Sequence, residues 1–393
     1  MSKVTYIDEA EIKNKQILVR VDFDVSLNPD YSIANDIRIK QNLPTLKYLL
    51  KNNNRLICVA KLNRPKTRDP KHSLKPVVIR LQEYLPDYKI ILVDDFLTCD
   101  QKIFKGQKIN EILVLENIRF YPKEKDYSTL FAKQLSALAD AYVNDGFAVS
   151  HRTDTSVIGP PKFIPGYGGL LLKKELEMLD RVTKNPKKPI VAIIGGAKVS
   201  TKIGLVNKLI KMVDYLIIGG GLANTFVCAQ GYEIGASFCE YEAVQQARKL
   251  LSLAKNNRAF IVLPVDAVVA TTKDDKTSEV VKINNIPPKK SIFDIGPETK
   301  AQIGGIIAKA GTIIWNGPVG YFENPVFRRG TDFIYYSITR NDEATSIVGG
   351  GDTLAAISKK EYLEKISHVS TGGGAMLEYI EKGTLPGIEA LKK

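Results

Sequence analysis

The sequence predicts an α/β protein built from two doubly wound, parallel-sheet, Rossmann-like domains. Three observations carry that expectation. The chain has 393 residues, more than one typical core holds. Short apolar runs alternate with helix-length segments in both halves, as in parallel sheets covered on both faces. Four runs in the second half end in glycine clusters that open helix-like segments. They are residues 193–202 (IIGGAKVSTK), 217–226 (IIGGGLANTF), 347–357 (IVGGGDTLAAI) and 369–376 (VSTGGGAM).

Taken in order, the first strand is expected at Ile17, Leu18 and Val19, running on through Val21 and Phe23. Leu43, Leu46, Leu49 and Leu50 have helical spacing, and Pro44 is placed near the start of that helix. Further strands are expected at 56–60, 90–93, 112–115 and 141–143. Pro160-Pro161, Pro165-Gly166 and Gly168-Gly169 break the pattern. A helix over 170–183 follows, with Leu172, Leu176 and Leu179 on one face, and reads as the connection between domains. Strands resume at 190–194, 215–218, 260–263, 312–315, 346–348 and 368–370. The expected division is a first domain over 1–168, a connecting helix over 169–184 and a second domain over 185–372.

Composition narrows the function classes. Hydrophobic residues make up 44% and charged residues 25%, ordinary for a soluble globular protein. No run approaches the roughly 18 apolar residues of a membrane span. The opening MSKVTYIDEA lacks the apolar stretch of a signal peptide, so a cytoplasmic location is expected. Cys58, Cys99, Cys228 and Cys239 form no C-x-x-C pair, and three histidines are present, which argues against a Cys/His zinc site. The net charge of +13 fits phosphorylated small molecules, nucleic acid or a membrane surface. No basic stripe with interleaved aromatics stands out; Lys187-Lys188 and Lys289-Lys290 are short clusters beside prolines. The G-x-x-x-x-G-K-[ST] loop, an opening G-x-G-x-x-G and the H-R-D and D-F-G motifs are all missing.

What remains points to phosphate. Unpaired N–H groups at helix starts favour anions, and glycine lets the backbone approach a ligand closely. Asp352 at such a turn can hold a cation such as Mg²⁺. Lys198 and Lys202 lie four apart at an expected helix start, where two cations oppose the helix dipole unless an anion sits between them. In the first half, charged residues follow the strands: Arg20 with Asp22, Arg64 after the second strand, Arg119 after the fourth, and His151 with Arg152 after the fifth. Arg38 lies near a helix start. In open α/β sheets ligands bind beyond these strand ends, and arginine binds phosphate and carboxylate through a planar fork.

The chain resembles phosphoglycerate kinase. The resemblance rests on residues 19–25 (VRVDFDV), 61–66 (KLNRPK), 115–121 (LENIRFY), 142–152 (YVNDGFAVSHR), 194–202 (IGGAKVSTK), 314–323 (IWNGPVGYFE), 347–353 (IVGGGDT), 368–374 (HVSTGGG) and the late LPGIEAL. It implies a hinge-closing monomer whose first domain binds 3-phosphoglycerate or 1,3-bisphosphoglycerate and whose second binds MgATP or MgADP. Residues 373–393 would return to the first domain. Arg20, Asp22, Asp24, Arg38, Lys61, Arg64, Arg119, His151 and Arg152 would form the glycerate site. Gly196, Lys198, Lys202, Gly219, Gly220, Gly221, Asn316, Pro318, Glu323, Gly349, Gly350, Gly351, Asp352 and Thr353 would form the nucleotide site, with Asp352 on Mg²⁺. Arg38, Lys198, Gly351 and Gly374 would act on the transferring phosphoryl group, and Gly373 would add an amide. No nucleic-acid or membrane partner is implied.

The chain also departs from that family's usual pattern. Asp24 stands where Asn is common, Ser26 for Pro, Lys61 for a substrate-side His, Asn63 for Gly, Asp154 for a second His and Thr201 for Asp. Asp24 is expected to weaken binding of an anionic ligand, with Lys61 as a counterweight. A divergent relative that phosphorylates another carboxylic acid is the alternative reading, and a nucleic-acid binder prompted by the charge is a third.

Overall fold

The computed structural model describes residues 3–357 and 360–392. The chain divides into two compact units. One combines the chain up to Glu177 with the stretch from Thr384 onward; the other runs from Met178 to Gly383. The helix Gly373–Lys382 therefore falls in the second unit, and the segment counted with the first begins at Thr384 rather than at residue 373. There the Gly387 amide donates to the Ser150 carbonyl at 2.8 Å.

The first unit holds a six-stranded sheet, ordered Lys89–Val93, Glu111–Leu115, Arg55–Val59, Gln16–Arg20, Ala141–Asn144 and Gly166–Gly168, with all neighbours parallel. Its strands are short apolar runs because both faces are buried: Ile17, Val19, Leu56 and Cys58 on one face and Leu18, Ile57 and Leu113 on the other are all sealed from solvent. Gly166–Gly168 lies inside the stretch expected to break the pattern and forms the edge strand. The helix carrying Leu46, Leu49 and Leu50 spans Ile37–Lys51, so Pro44 sits in its middle rather than near its start. A proline there leaves the Lys40 carbonyl without its helical donor.

The helix Leu170–Thr183 buries Leu172 and Leu179. Its first turn is held by Asp145, whose Oδ1 accepts from the amides of Leu171 at 2.9 Å and Leu172 at 3.3 Å. Complete burial pushes the Asp145 carboxyl up to about 7, although these donors favour its charged form.

The second unit has its own six-stranded parallel sheet, ordered Phe260–Val262, Tyr215–Ile218, Ile190–Ile194, Thr312–Asn316, Thr345–Gly349 and His368–Ser370. In chain order this is 3-2-1-4-5-6, the doubly wound arrangement whose crevice opens where the order reverses. The reversal lies between Ile190–Ile194 and Thr312–Asn316, which pair directly. A three-stranded antiparallel sheet of Glu279–Lys282, Asp266–Ala270 and Ser291–Ile295 is added, which sequence patterning did not reveal.

Trp315, the single tryptophan, is fully buried and pairs in register with Ile193 across the two central strands. Ile193→Ala should cost about 2–5 kcal/mol of stability through lost transfer energy and an unfilled cavity. Urea unfolding followed by Trp315 fluorescence should show the midpoint fall; an unmoved midpoint would mean that the central strands do not limit the second unit's stability.

Candidate active site

In the first unit, cations gather beyond the carboxyl ends of the parallel strands. Arg38, in the first turn of its helix, donates through Nη1 to both oxygens of Asp22, at 3.0 and 2.8 Å. Asp22 follows the strand Gln16–Arg20 and is 1% exposed, so this pair anchors the guanidinium to the sheet end. The neighbouring carboxylates Asp22 and Asp24 raise the basicity of Arg38 further. Lys61 follows the strand Arg55–Val59 and forms an ion pair with Asp24, which also accepts from the Asn63 amide at 2.7 Å. Burial opposes the Asp24 charge, but Lys61 and that amide together hold the carboxyl below its ordinary range.

Arg119 follows Glu111–Leu115 and donates from Nη2 to Asp154 at 2.7 Å. Arg152 lies near enough to feel Arg119, Arg64, Asp154 and Asp24. Burial, with repulsion from Arg119 and Arg64, lowers its basicity from the ordinary value. The fold thus brings together Arg38, Lys61, Arg64, Arg119 and Arg152, with Asp22, Asp24 and Asp154 among them. His151 is half-buried beside Arg152.

Arg20 is placed differently. It is fully buried, donating from Nε to Ser156 Oγ at 3.0 Å and from Nη1 to the carbonyls of Val21 at 2.5 Å and Val59 at 3.3 Å. Ser156 Oγ in turn donates to Glu124, whose carboxyl burial raises to about 7. Arg20 ties strand ends to the segment after Asp154 and presents no surface to a ligand.

In the second unit the glycine turns meet by direct backbone contact. Gly350 has φ +112°, a conformation side chains rarely adopt, and a Cβ there would reach Asn316 Nδ2 and Thr353 Oγ1 at 2.9 Å. A Cβ on Gly373 would meet the Gly350 Cα at 2.6 Å, and one on Gly195 would overlap the carbonyls of Gly317 and Pro318. Asn316 and Thr353 serve this frame. Asn316 Nδ2 donates to the Gly349 carbonyl at 2.7 Å, and Thr353 Oγ1 accepts from the Gly317 amide at 2.7 Å. Thr353 is fully buried and presents no hydroxyl to a ligand.

Lys202 caps the helix Ile203–Ile210, so it and Lys198 precede the helix rather than open it. The Lys202 ammonium reaches the Gly195 carbonyl at 2.5 Å and Asn316 Oδ1 at 3.5 Å. Burial pulls it down to about 8, with Asp352 acting the other way. Lys198 is exposed in the preceding turn. Glu240, missed in the sequence, anchors this turn by accepting from the Ser200 amide at 3.0 Å and hydroxyl at 2.6 Å.

A cavity of about 600 Å³ opens beside these turns. Gly196, Gly220, Gly221, Pro318, Glu323 and Asp352 line it, as expected of a nucleotide seat. Its apolar wall comes from Val227, Phe238, Phe293 and Tyr321, with Asn224 and Lys273 beside them. Phe238 and Phe293 were missed too, because an aromatic in an ordinary loop or strand carries no motif, while Tyr321 lies in the 314–323 run without being singled out there. Lys198, Lys202, Gly219, Asn316, Gly349, Gly350, Gly351 and Thr353 lie outside the lining, and Gly374 is an exposed residue in the first turn of Gly373–Lys382. Among the described residues no cluster of three or more His, Cys, Asp or Glu could hold a metal alone.

The family model for phosphoglycerate kinase matches residues 7–383. Cytosolic phosphoglycerate kinase 3 of Arabidopsis thaliana is 42% identical over 390 residues, covering 98% of this chain and 97% of that one. The phosphoglycerate kinase of Koribacter versatilis is 42% identical over 401 residues, covering 100% and 99%. The phosphoglycerate kinase structure from Coxiella burnetii superposes with a TM-score of 0.87 at 38% identity, covering 99% of this chain and 98% of that one.

Breaking a buried ion pair from one side strands the other charge, at a cost of about 3–5 kcal/mol. Lys61→Met should therefore lower the melting temperature, and adding Asp24→Asn to it should restore part of the loss. Calorimetry of the two single variants and the double variant checks this; purely additive losses would mean that the pair is not coupled.

Proposed function

The chain belongs to the phosphoglycerate kinase family, and from that premise we propose how its own residues carry the reaction. The enzyme transfers a phosphoryl group between ATP and 3-phosphoglycerate, giving ADP and 1,3-bisphosphoglycerate, a reversible step of glycolysis and gluconeogenesis. Relatives bearing the same name over their full length give no support to a different carboxylic acid as acceptor. A coupled assay with ATP and 3-phosphoglycerate tests the reading directly.

The observation that supports our assignment of residues is a segregation of chemistry. The first unit gathers fixed cations at its strand ends. The second gathers glycine turns, a cool lysine and an apolar cavity. We assign the glycerate ligand to Arg38, Lys61, Arg64, Arg119, His151 and Arg152, held by Asp22 and Asp24. Arg20, turned inward, positions that wall instead. We assign the nucleotide base and ribose to the cavity with Glu323, and its phosphates to Lys198, Lys202 and the amides of Gly350, Gly351, Gly373 and Gly374.

The attacking group is a carboxylate, ionised at neutral pH, so no protein base is needed. Catalysis then reduces to positioning and to neutralising charge on the transferring group. Arg38 and Lys198 carry that neutralisation. The donor set suits magnesium: Asp352 offers one exposed carboxylate, and Mg²⁺ is held by one or two carboxylates together with substrate phosphates. Bound there, the ion would offset phosphate charge.

We place the enzyme in the cytoplasm as a monomer acting on small molecules, without a nucleic-acid or membrane partner. Among the described residues no helix is long and apolar enough to cross a membrane, and one relative is named cytosolic.

Arg38→Ala should lower kcat by about 10²–10³, as removal of one preorganised donor does in comparable sites; turnover within a few-fold of the parent would reject its role. Lys202 supplies a pH test. In the free protein its proton is lost near pH 8, whereas a bound polyphosphate raises that value. Nucleotide affinity should then weaken as pH rises above 8, by up to about tenfold per unit, with proton uptake on binding. Calorimetric titration at pH 8.5 in two buffers of different ionisation enthalpy measures the uptake, and Lys202→Arg should abolish it.

A further inference from the structure

Asp154 occupies the N-cap position of the short helix Thr155–Ile158. An aspartate there ordinarily turns its carboxylate back onto the amides that follow. In this chain it makes no such bond. The Asp154 backbone carbonyl accepts from the Val157 amide at 3.0 Å and the Ile158 amide at 3.2 Å. Its carboxylate instead reaches across to Arg119 Nη2 at 2.7 Å, with 6% of the aspartate side chain and 11% of the arginine exposed.

The surroundings are starved of anions. Arg152 is close enough to Arg119 and Arg64 for their charge to depress its basicity, while Asp154 and Asp24 oppose that effect. Asp24 already pairs with Lys61. Arg119 Nε and Arg152 Nε are buried without a hydrogen-bond partner. The remaining carboxylate nearby, Glu124, is turned to the Ser156 amide at 2.8 Å and hydroxyl at 2.7 Å. Of these three guanidinium groups, two of which have an unfilled Nε, Arg119 is the one bonded to a carboxylate among the described residues, and that carboxylate is Asp154.

We propose that Asp154 is an internal counter-anion that occupies part of the Arg119 fork and so sets the affinity of this pocket for the phosphate monoester of the acceptor substrate. This rests on the glycerate-side assignment above. An arriving phosphate brings oxygens for the unfilled Nε donors, but it must share Arg119 with Asp154 or displace it. Asp154 also repels the phosphate directly. It is a specificity-determining residue: it discounts every anion, and selects for one that can engage Arg152 and Arg64 as well as Arg119.

The test is Asp154→Asn, which keeps the shape and removes the charge. The KM for 3-phosphoglycerate should fall about fivefold or more while the KM for ATP stays within twofold. Independently of turnover, the sulfate concentration that half-protects the protein against thermal unfolding should fall by a similar factor. Asp154→Ser, which is also uncharged, should do the same if the asparagine variant folds poorly. An unchanged or raised KM for 3-phosphoglycerate, with unchanged sulfate protection, would overturn the inference. Should the parent fail to turn over 3-phosphoglycerate at all, the functional assignment falls, and the sulfate measurement still decides the role of Asp154.

Discussion

Guanidinium and ammonium groups crowded at the ends of parallel strands repel one another, and the first unit holds them with carboxylates drawn from the same strand ends. At about 4 Å two like charges near a protein surface cost on the order of 4 kcal/mol. Asp22 with Arg38, Asp24 with Lys61 and Asp154 with Arg119 each remove one such term. The pairs are not equivalent. Asp22 grips Arg38 with both oxygens and fixes its direction. Asp24 and Lys61 form a nearly closed pair, so the negative charge expected to weaken the pocket is largely spent locally. Asp154 meets Arg119 through Nη2 alone, which leaves Arg119 Nε without a partner.

The second unit is built the opposite way, with backbone brought close to backbone and few charges. Its central strands end where the sheet order reverses, and the turns beyond them touch through glycines. Asn316 and Thr353 spend their polar atoms on those turns and so fix the frame. Lys202, tucked against the Gly195 carbonyl, is kept dry enough to be easily deprotonated.

Much of this was legible in the residues. Strands buried on both faces are continuous apolar runs, so five strands of the first sheet and all six of the second could be located, along with the glycine turns at their ends; Gly166–Gly168 was missed because it is a glycine-rich edge strand. Sheet order was not legible, because nothing local says which strands pair. The edge of the antiparallel sheet was hidden because it is wet: Val280, in the middle of Glu279–Lys282, is 57% exposed. Arg20 and Arg119 look alike as cations after strands, yet one is sealed inside and the other faces the cluster. That distinction depends on Ser156 and Glu124, more than a hundred positions from Arg20. Asp154 was legible only as a departure from the usual His, because its bond to Arg119 joins positions 35 apart in sequence. Phe238 and Phe293 gave no signal, because a cavity wall is a tertiary property.

The stretch from Thr384 onward belongs to the first unit, although the whole of the second unit separates it from the rest. Gly387 lies against Ser150 and Val157, where a Cβ would find no room, and the side-chain amide of Asn144 donates to its carbonyl at 3.4 Å. During synthesis the ribosome must therefore make some two hundred further residues before the front unit receives its last piece. Through that interval the patch around Asn144, Ser150 and Val157 stands uncovered on an otherwise assembled body. Units generally fold as they emerge. Here the front one can collapse early but reaches its final form only after the rear one has been made. A chain stalled between these points would lack the hydrogen bonds that Gly387 makes with Ser150 and Asn144.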